Sequence, residues 1–248
     1  MELVIVSKNE LVTFESEMAK MAMEVVKAEQ STAGMTFLST KGGMLSYRGD
    51  PVAGNKLACV ILSSPIERLF YAERYDPTKI VPPSCFAIGR LASEMTPAPS
   101  VEKPQHTSCE GCPRNEWGSS LTGGKGKACR ETRRLLLIPA DAITSPEAVA
   151  KAEVAALRPP VTSLKNYANY VQTLAASIKR PPVAVISEIA VVPDAKTQFK
   201  VNFNMVKPIA EPAVVKALMQ RAEQEIERAI ATAGDMADDT APATSDRF

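Results

Sequence analysis

The chain has 248 residues, with 29 Lys and Arg against 28 Asp and Glu, so its formal net charge is +1. Its single histidine, His106, excludes sites built from two or more histidines. No run of apolar residues approaches the ~18 that a membrane span needs, and the first residues lack the pattern of a secretory signal peptide. We therefore expect a cytoplasmic protein with no membrane contact.

The first half of the chain has one predicted helix followed by short predicted strands. Apolar residues at spacings of three and four predict the helix over residues 9–27. The β-like runs that follow cover residues 36–39, 44–47, 57–62 and 68–75. The Pro-Pro break at residues 82–83 precedes Cys85, where a strand is well placed to deliver the thiol. Residues 93–108 are rich in Pro, Ser and Thr, which is typical of a loop.

The second half contains the clearest β-hairpin. Its strands are predicted over residues 183–192 and 197–206, and in the second strand Phe199, Val201 and Phe203 alternate with polar residues. Strict alternation indicates one buried and one exposed face. A further strand is predicted over residues 134–138, and helices over residues 146–156, 163–178 and 212–232. The inventory predicts an α+β fold with an OB-like β-barrel core and flanking helices.

The predicted organisation is one OB-like domain over residues 1–234, with an insert at about residues 84–134 and a C-terminal tail at residues 235–248. The tail carries four Asp and one Arg, so its net charge is −3. Its small, acidic composition predicts disorder. Its aromatic end favours partner binding, and the residues assigned to that role are Asp238, Asp239, Asp246 and Phe248.

Four of the five cysteines fall within 45 residues, which favours a metal site over disulfides in a chain without a secretory signal. Cys109 and Cys112 form a C-x-x-C knuckle, and Cys129 follows it. Cys85 or His106 is the fourth ligand, and Cys85 completes a four-thiolate set. Tetrahedral Zn²⁺ with four protein ligands is a structural site. Cys59 lies in an apolar run and is predicted to be a core residue.

The insert is basic and contains the only tryptophan of the chain. Residues 103–134 hold seven basic and three acidic side chains, a net charge of +4. Cations that follow phosphates and a flat ring that stacks on an unpaired base are typical of single-strand binding. The predicted phosphate contacts are Lys125, Lys127, Arg130, Arg133 and Arg134. Trp117 is the predicted stacking residue, with Tyr71 and Tyr75 as weaker candidates.

Known catalytic motifs fail in this chain, so we predict that it is not an enzyme. The glycine-rich residues 123–127 lack the first glycine and the Ser/Thr of a P-loop. His106 and Cys109 do not fit the zinc-deaminase signature. Two alternatives to single-strand binding stay open: a zinc-stabilised protein-interaction factor, and a metal-dependent nuclease.

Residues 109–119 and 124–129, with the Arg133-Arg134 pair and the acidic tail ending in Phe248, resemble bacteriophage single-stranded DNA-binding (helix-destabilising) proteins. The resemblance implies binding of single-stranded DNA in phage DNA replication and recombination. It implies a structural zinc in an OB fold, as in some members, and a tail that recruits replication proteins. The location would be the cytoplasm of the host cell, and homo-oligomerisation is left open. The alternative interaction factor would then target a host or phage polymerase.

Overall fold

The computed structural model describes residues 17, 18, 20, 21, 36–73 and 81–231 of the chain. The chain divides into two units, residues 1–35 and 36–248. In the first unit the four described residues are helical and exposed, and they fall within the helix predicted over residues 9–27. The rest of that helix, Tyr75 and the acidic tail at residues 235–248 lie outside the described residues.

The second unit is a mixed α+β structure with two sheets. Its strands are β1 (Thr36–Ser39), β2 (Ser46–Tyr47), β3 (Asp50–Pro51), β4 (Lys56–Ser63), β5 (Ile66–Phe70), β6 (Cys85–Gly89), β7 (Cys129–Arg133), β8 (Leu135–Pro139), β9 (Ala155–Leu157), β10 (Val185–Asp194) and β11 (Gln198–Pro208). Its helices are α1 (Pro146–Lys151), α2 (Val161–Ser177) and α3 (Pro212–Ala231).

Eight strands form a curled, half-barrel sheet in the order β11, β10, β4, β8, β9, β1, β2, β3. The pairing of β1 with β9 is parallel, and the other pairs in this sheet are antiparallel. A separate three-stranded sheet has the order β6, β5, β7, so β5 is its central strand. This small sheet carries the residues of the candidate site.

The hairpin prediction is confirmed, since β10 and β11 pair over their whole length. Val201 and Phe203 are buried as the alternation requires. The helix predicted over residues 146–156 is wrong at its end: α1 stops at Lys151, and Ala155–Leu157 is strand β9. Alanine is a good helix former, but these three residues pair with β1 and β8 and are buried between them.

The core lies on both faces of the large sheet. Helix α2 covers one face, where the Tyr167 ring packs edge-on against Phe203 at a centroid distance of 5.2 Å. Ser163 at the start of α2 is fully buried, and its hydroxyl accepts a hydrogen bond of 2.9 Å from the backbone N–H of Val201. This bond ties the helix to β11. Helix α3 packs against β4 through the buried Leu218 side of the helix.

A buried ion triad joins the two sheets. Glu67 of β5 is fully buried, and its carboxylate accepts hydrogen bonds of 2.7 Å from Nε of Arg134 and from Nε of Arg158. Both guanidinium groups lie over the ring of Phe37 in β1, at 5.5 and 4.3 Å from its centroid. Burial raises the pKa of Glu67, but the charges of Arg158 and Arg134 outweigh it and the pKa is lowered overall.

We predict that Glu67→Gln lowers the free energy of unfolding by about 3–5 kcal/mol, because it leaves buried guanidinium charge without a counter-ion. Urea unfolding of the purified variant measures this loss. The matched control is Glu153→Gln, which removes an exposed ion pair with Arg48 and should change stability far less.

The same triad predicts how stability depends on pH. Because the pKa of Glu67 is lower in the folded protein, its contribution is present above the ordinary carboxyl pKa of about 4.3 and is lost as the pH falls through the folded value. The difference in stability between the native chain and Glu67→Gln should therefore shrink as the pH falls below 4. An unchanged difference would contradict the assignment.

Candidate nucleic-acid interface and cysteine site

The small sheet brings two of the predicted ligands to one face. Cys85 at the start of β6 and Cys129 at the start of β7 are both paired with Phe70 of β5. Residues paired across neighbouring strands share a face of the sheet, so both thiols lie on the side of Phe70. This placement depends on the register of three strands that are distant in sequence.

The C-x-x-C knuckle is held against the same face by backbone hydrogen bonds. The backbone N–H of Cys109 donates to the carbonyl oxygen of Met95 at 2.9 Å. The carbonyl oxygen of Cys109 accepts a hydrogen bond of 3.1 Å from Nη1 of Arg68, a nearly buried side chain of β5. Gly111 has φ of +70°, a conformation that glycine adopts without steric cost and that closes the turn between the two cysteines.

One small cavity is lined by the four cysteines. Its volume is about 20 Å³, and its lining residues include Cys85, Cys109, Cys112 and Cys129, as well as His106. About 10–15 Å³ is enough for a single water molecule, so the space suits one ion. His106 also reaches this cavity, but its ring is exposed and its Nδ1 lies 3.0 Å from the carbonyl oxygen of Ser108.

All five cysteines are free thiols, and burial at the cavity favours the protonated form of Cys129 and Cys109. Burial raises the pKa of Cys129 to about 12, with further contributions from the charges of Cys109, Cys112 and Cys85. Burial also raises the pKa of Cys109, against the lowering effect of Arg68. Zinc takes up thiolates, so a metal that binds here must displace these protons.

The donor chemistry and the shared cavity therefore fit zinc, but the ligand set is not drawn together. Among the residues that the structure describes, no group of three or more His, Cys, Asp or Glu side chains could hold a metal ion as the side chains stand. Cys59 lies apart from the cavity, in β4, and is completely buried in the core as predicted.

The basic loop presents its tryptophan to solvent. Trp117 is 79% exposed, and Nζ of Lys127 lies 5.3 Å from the centroid of its ring. The loop closes on itself, because the backbone N–H of Gly118 lies within 3.2 Å of the carbonyl oxygen of Lys125 and 3.0 Å of that of Gly126. The backbone of Lys125 is thereby held next to Gly118, the residue that follows Trp117.

The predicted phosphate contacts on β7 are not all in one place. Arg130 is exposed but pairs with Leu69, which puts it on the face of the small sheet away from the cysteines. Arg133 is half-buried and donates to the carbonyl oxygen of Ser64 at 3.0 Å. The prediction for Arg134 is wrong, because this side chain is 2% exposed and is consumed by the ion triad with Glu67.

Sequence reasoning missed three residues that organise this region. Arg68 and Arg114 line the cysteine cavity, and the guanidinium of Arg114 lies 5.1 Å from the centroid of the Phe70 ring. Asn115 hydrogen-bonds to the knuckle and to Lys127. The only signal in the sequence is the closeness of Arg114 and Asn115 to Cys112. Tyr71, a weaker candidate, follows β5 directly and is half-buried.

Because Trp117 is the only tryptophan, its fluorescence reports the charge of the loop. We predict that iodide quenches it more strongly than caesium at low ionic strength, since Lys125 and Lys127 attract the anion. Lys127→Gln should lower the ratio of the two Stern–Volmer constants, whereas Lys216→Gln on α3 should leave it unchanged. Equal quenching by both ions in the native chain would contradict this geometry.

No described helix is long and apolar enough to cross a membrane. A comparison of the chain with protein-family models, with curated proteins and with solved structures finds no match.

Proposed function

We propose that this protein is a non-enzymatic single-stranded DNA-binding protein, and that the loop around Trp117 is its contact surface. The observation that carries the proposal is a 79%-exposed indole with an ammonium group beside its ring. An indole in water is poorly solvated unless something covers it, and an unpaired base is a flat partner of suitable size. The proposed phosphate contacts of this loop are Lys125 and Lys127; Arg130 lies on the other face of the small sheet, and Arg133 donates to the Ser64 carbonyl.

We propose that a structural Zn²⁺ organises this loop, with Cys85, Cys109, Cys112 and Cys129 as ligands and His106 as the alternative to Cys85. All five side chains line one cavity, which supports a shared ion. The two large apolar side chains of residues 110–128, Trp117 and Leu121, are both exposed, so coordination would supply folding free energy that packing of this segment does not. The arginines at the cavity, Arg68 and Arg114, place positive charge where thiolates would form.

The broader role is also a proposal. The curl of the large, mostly antiparallel sheet into a half-barrel supports an OB-like barrel. The protein would coat transient single strands during phage DNA replication and recombination, in the cytoplasm of the host. Its acidic tail, with Asp238, Asp239, Asp246 and Phe248, would recruit replication proteins. The tail composition supports this, since a flexible acidic segment with an aromatic end suits a basic pocket.

The single-strand proposal predicts tight binding to oligo(dT) and weaker binding to duplex of equal length. Trp117→Ala should weaken oligo(dT) binding by about 1–3 kcal/mol, because a stacking contact is lost. Lys125→Gln should make the salt dependence shallower by about 0.7 in slope, since one phosphate contact releases that equivalent of counterion. Fluorescence anisotropy at several salt concentrations measures both effects, and Lys216→Gln is the control.

The same titration separates the alternatives. An interaction factor for a polymerase would bind neither DNA form, and a nuclease would shorten the oligonucleotide during the measurement. Either result would overturn the proposal. Equal affinity for oligo(dT) and duplex would also contradict it, because stacking on Trp117 requires unpaired bases.

The zinc proposal predicts about one equivalent of zinc in the purified protein, measured by elemental mass spectrometry. Cys112→Ser should lose the metal, because it removes one of four ligands, while Cys59→Ala in the core should retain it. Zinc affinity should fall as the pH falls, since protons compete for the thiolates. A native chain without zinc, or a Cys112→Ser variant that keeps it, would contradict the ligand assignment.

A further inference from the structure

Asn115 contacts both halves of the cysteine knuckle. It ends the short 3₁₀ turn Pro113–Asn115 that begins directly after Cys112. Its backbone N–H donates to the carbonyl oxygen of Cys112 at 2.8 Å. Its side-chain amide nitrogen lies 3.4 Å from the carbonyl oxygen of Cys109 and donates to it. One residue therefore responds to the position of both cysteines.

The other end of the same amide reaches the Trp117 loop. Oδ1 of Asn115 accepts a hydrogen bond of 3.2 Å from Nζ of Lys127, and that ammonium lies 5.3 Å from the centroid of the Trp117 ring. The ammonium has donors only, so the amide oxygen must face it, and the amide NH₂ is then turned toward the Cys109 carbonyl. The orientation is fixed from both sides.

The knuckle is also anchored to the small sheet. The carbonyl oxygen of Cys109 that accepts from Asn115 also accepts from the guanidinium of Arg68 in β5, at 3.1 Å. The small sheet thus holds the knuckle through Arg68, and Asn115 links the same carbonyl oxygen to Lys127. No other described side chain has a hydrogen bond to both Cys109 and Lys127.

We propose that Asn115 is a positioning residue that couples the metal state of the cysteine site to the placement of Lys127 and Trp117, and thereby to affinity for single-stranded DNA. This inference rests on the proposed function. Asn115 touches neither the ion nor the DNA and acts only through the two contacts of its amide. Coupling between binding sites is reciprocal in free energy, so zinc raises the affinity for DNA and bound DNA raises the affinity for zinc by the same factor.

The test compares oligo(dT) dissociation constants for the zinc-loaded and chelator-treated protein. In the native chain the ratio of the two constants should fall in the roughly 5- to 150-fold range of coupled sites. In Asn115→Ala the ratio should approach one while the zinc stoichiometry stays that of the native chain. Asn204→Ala, an exposed asparagine of β11, is the matched control and should keep the native ratio.

One further readout and one further variant distinguish coupling from a merely structural role. Trp117 emission should change on zinc addition to the stripped native chain, and this change should be absent in Asn115→Ala. Asn115→Asp keeps the acceptor for Lys127 but loses the donor to Cys109, so it too should be uncoupled, and it serves if the alanine variant does not fold.

The proposal is overturned if Asn115→Ala keeps the native ratio, or if it loses zinc. Failure of the proposed function has a different signature, because it appears in the native chain as missing zinc or missing oligo(dT) binding. In that case the coupling proposal is overturned together with the proposed function.

Discussion

The buried carboxylate of Glu67 is the interaction on which the rest of the structure depends. Two guanidinium groups, from Arg134 and Arg158, converge on it between the large and the small sheet. A buried ion pair is weak evidence for stability in itself, but removing one partner from it is strongly destabilising. The triad therefore acts as a joint between the two sheets: it fixes β5 relative to the half-barrel sheet, and it cannot lose a member without a large loss of stability.

The joint also sets the geometry of the candidate site, because β5 uses both of its faces. Glu67 points to the large sheet, and its neighbour Arg68, on the other face, holds the carbonyl of Cys109. Phe70, also on that other face, lies between the strand positions of Cys85 and Cys129. The cysteine cavity and the Trp117 loop are thus arranged around one five-residue strand.

The sequence predicts the fold best where a local period reveals the buried face. Residues 197–206 alternate strictly, and β11 forms there. Strand β7 was missed because Cys129–Arg133 is polar at four of five positions and has no apolar period. Strand β9 was missed because its alanines favour helix locally, while the parallel partner β1 lies more than a hundred residues away in the chain.

The candidate site divides in the same way. The C-x-x-C spacing predicts that Cys109 and Cys112 lie together, and both line the cavity. Charge and aromaticity single out Trp117 and Lys127, whose ammonium lies beside the ring. The sequence does not predict that Arg134 is buried, because its partner Glu67 is distant in the chain. An arginine within a basic run is also expected to be exposed. Asn115 belongs to no sequence motif. Its role becomes visible only when the structure shows which two groups its amide contacts.

The alternation of Glu67 and Arg68 on β5 has a consequence for how this chain can vary in length. A one-residue deletion ahead of Glu67 in β5 would shift the register of the strand by one residue. The carboxylate would then face the cysteine side, and the guanidinium of Arg68 would face the large sheet. The loop between Gly118 and Gly126 is closed by its own backbone hydrogen bonds. Insertions there would extend into solvent and leave the two sheets unaltered. This loop is therefore the part of the candidate site that tolerates changes in length.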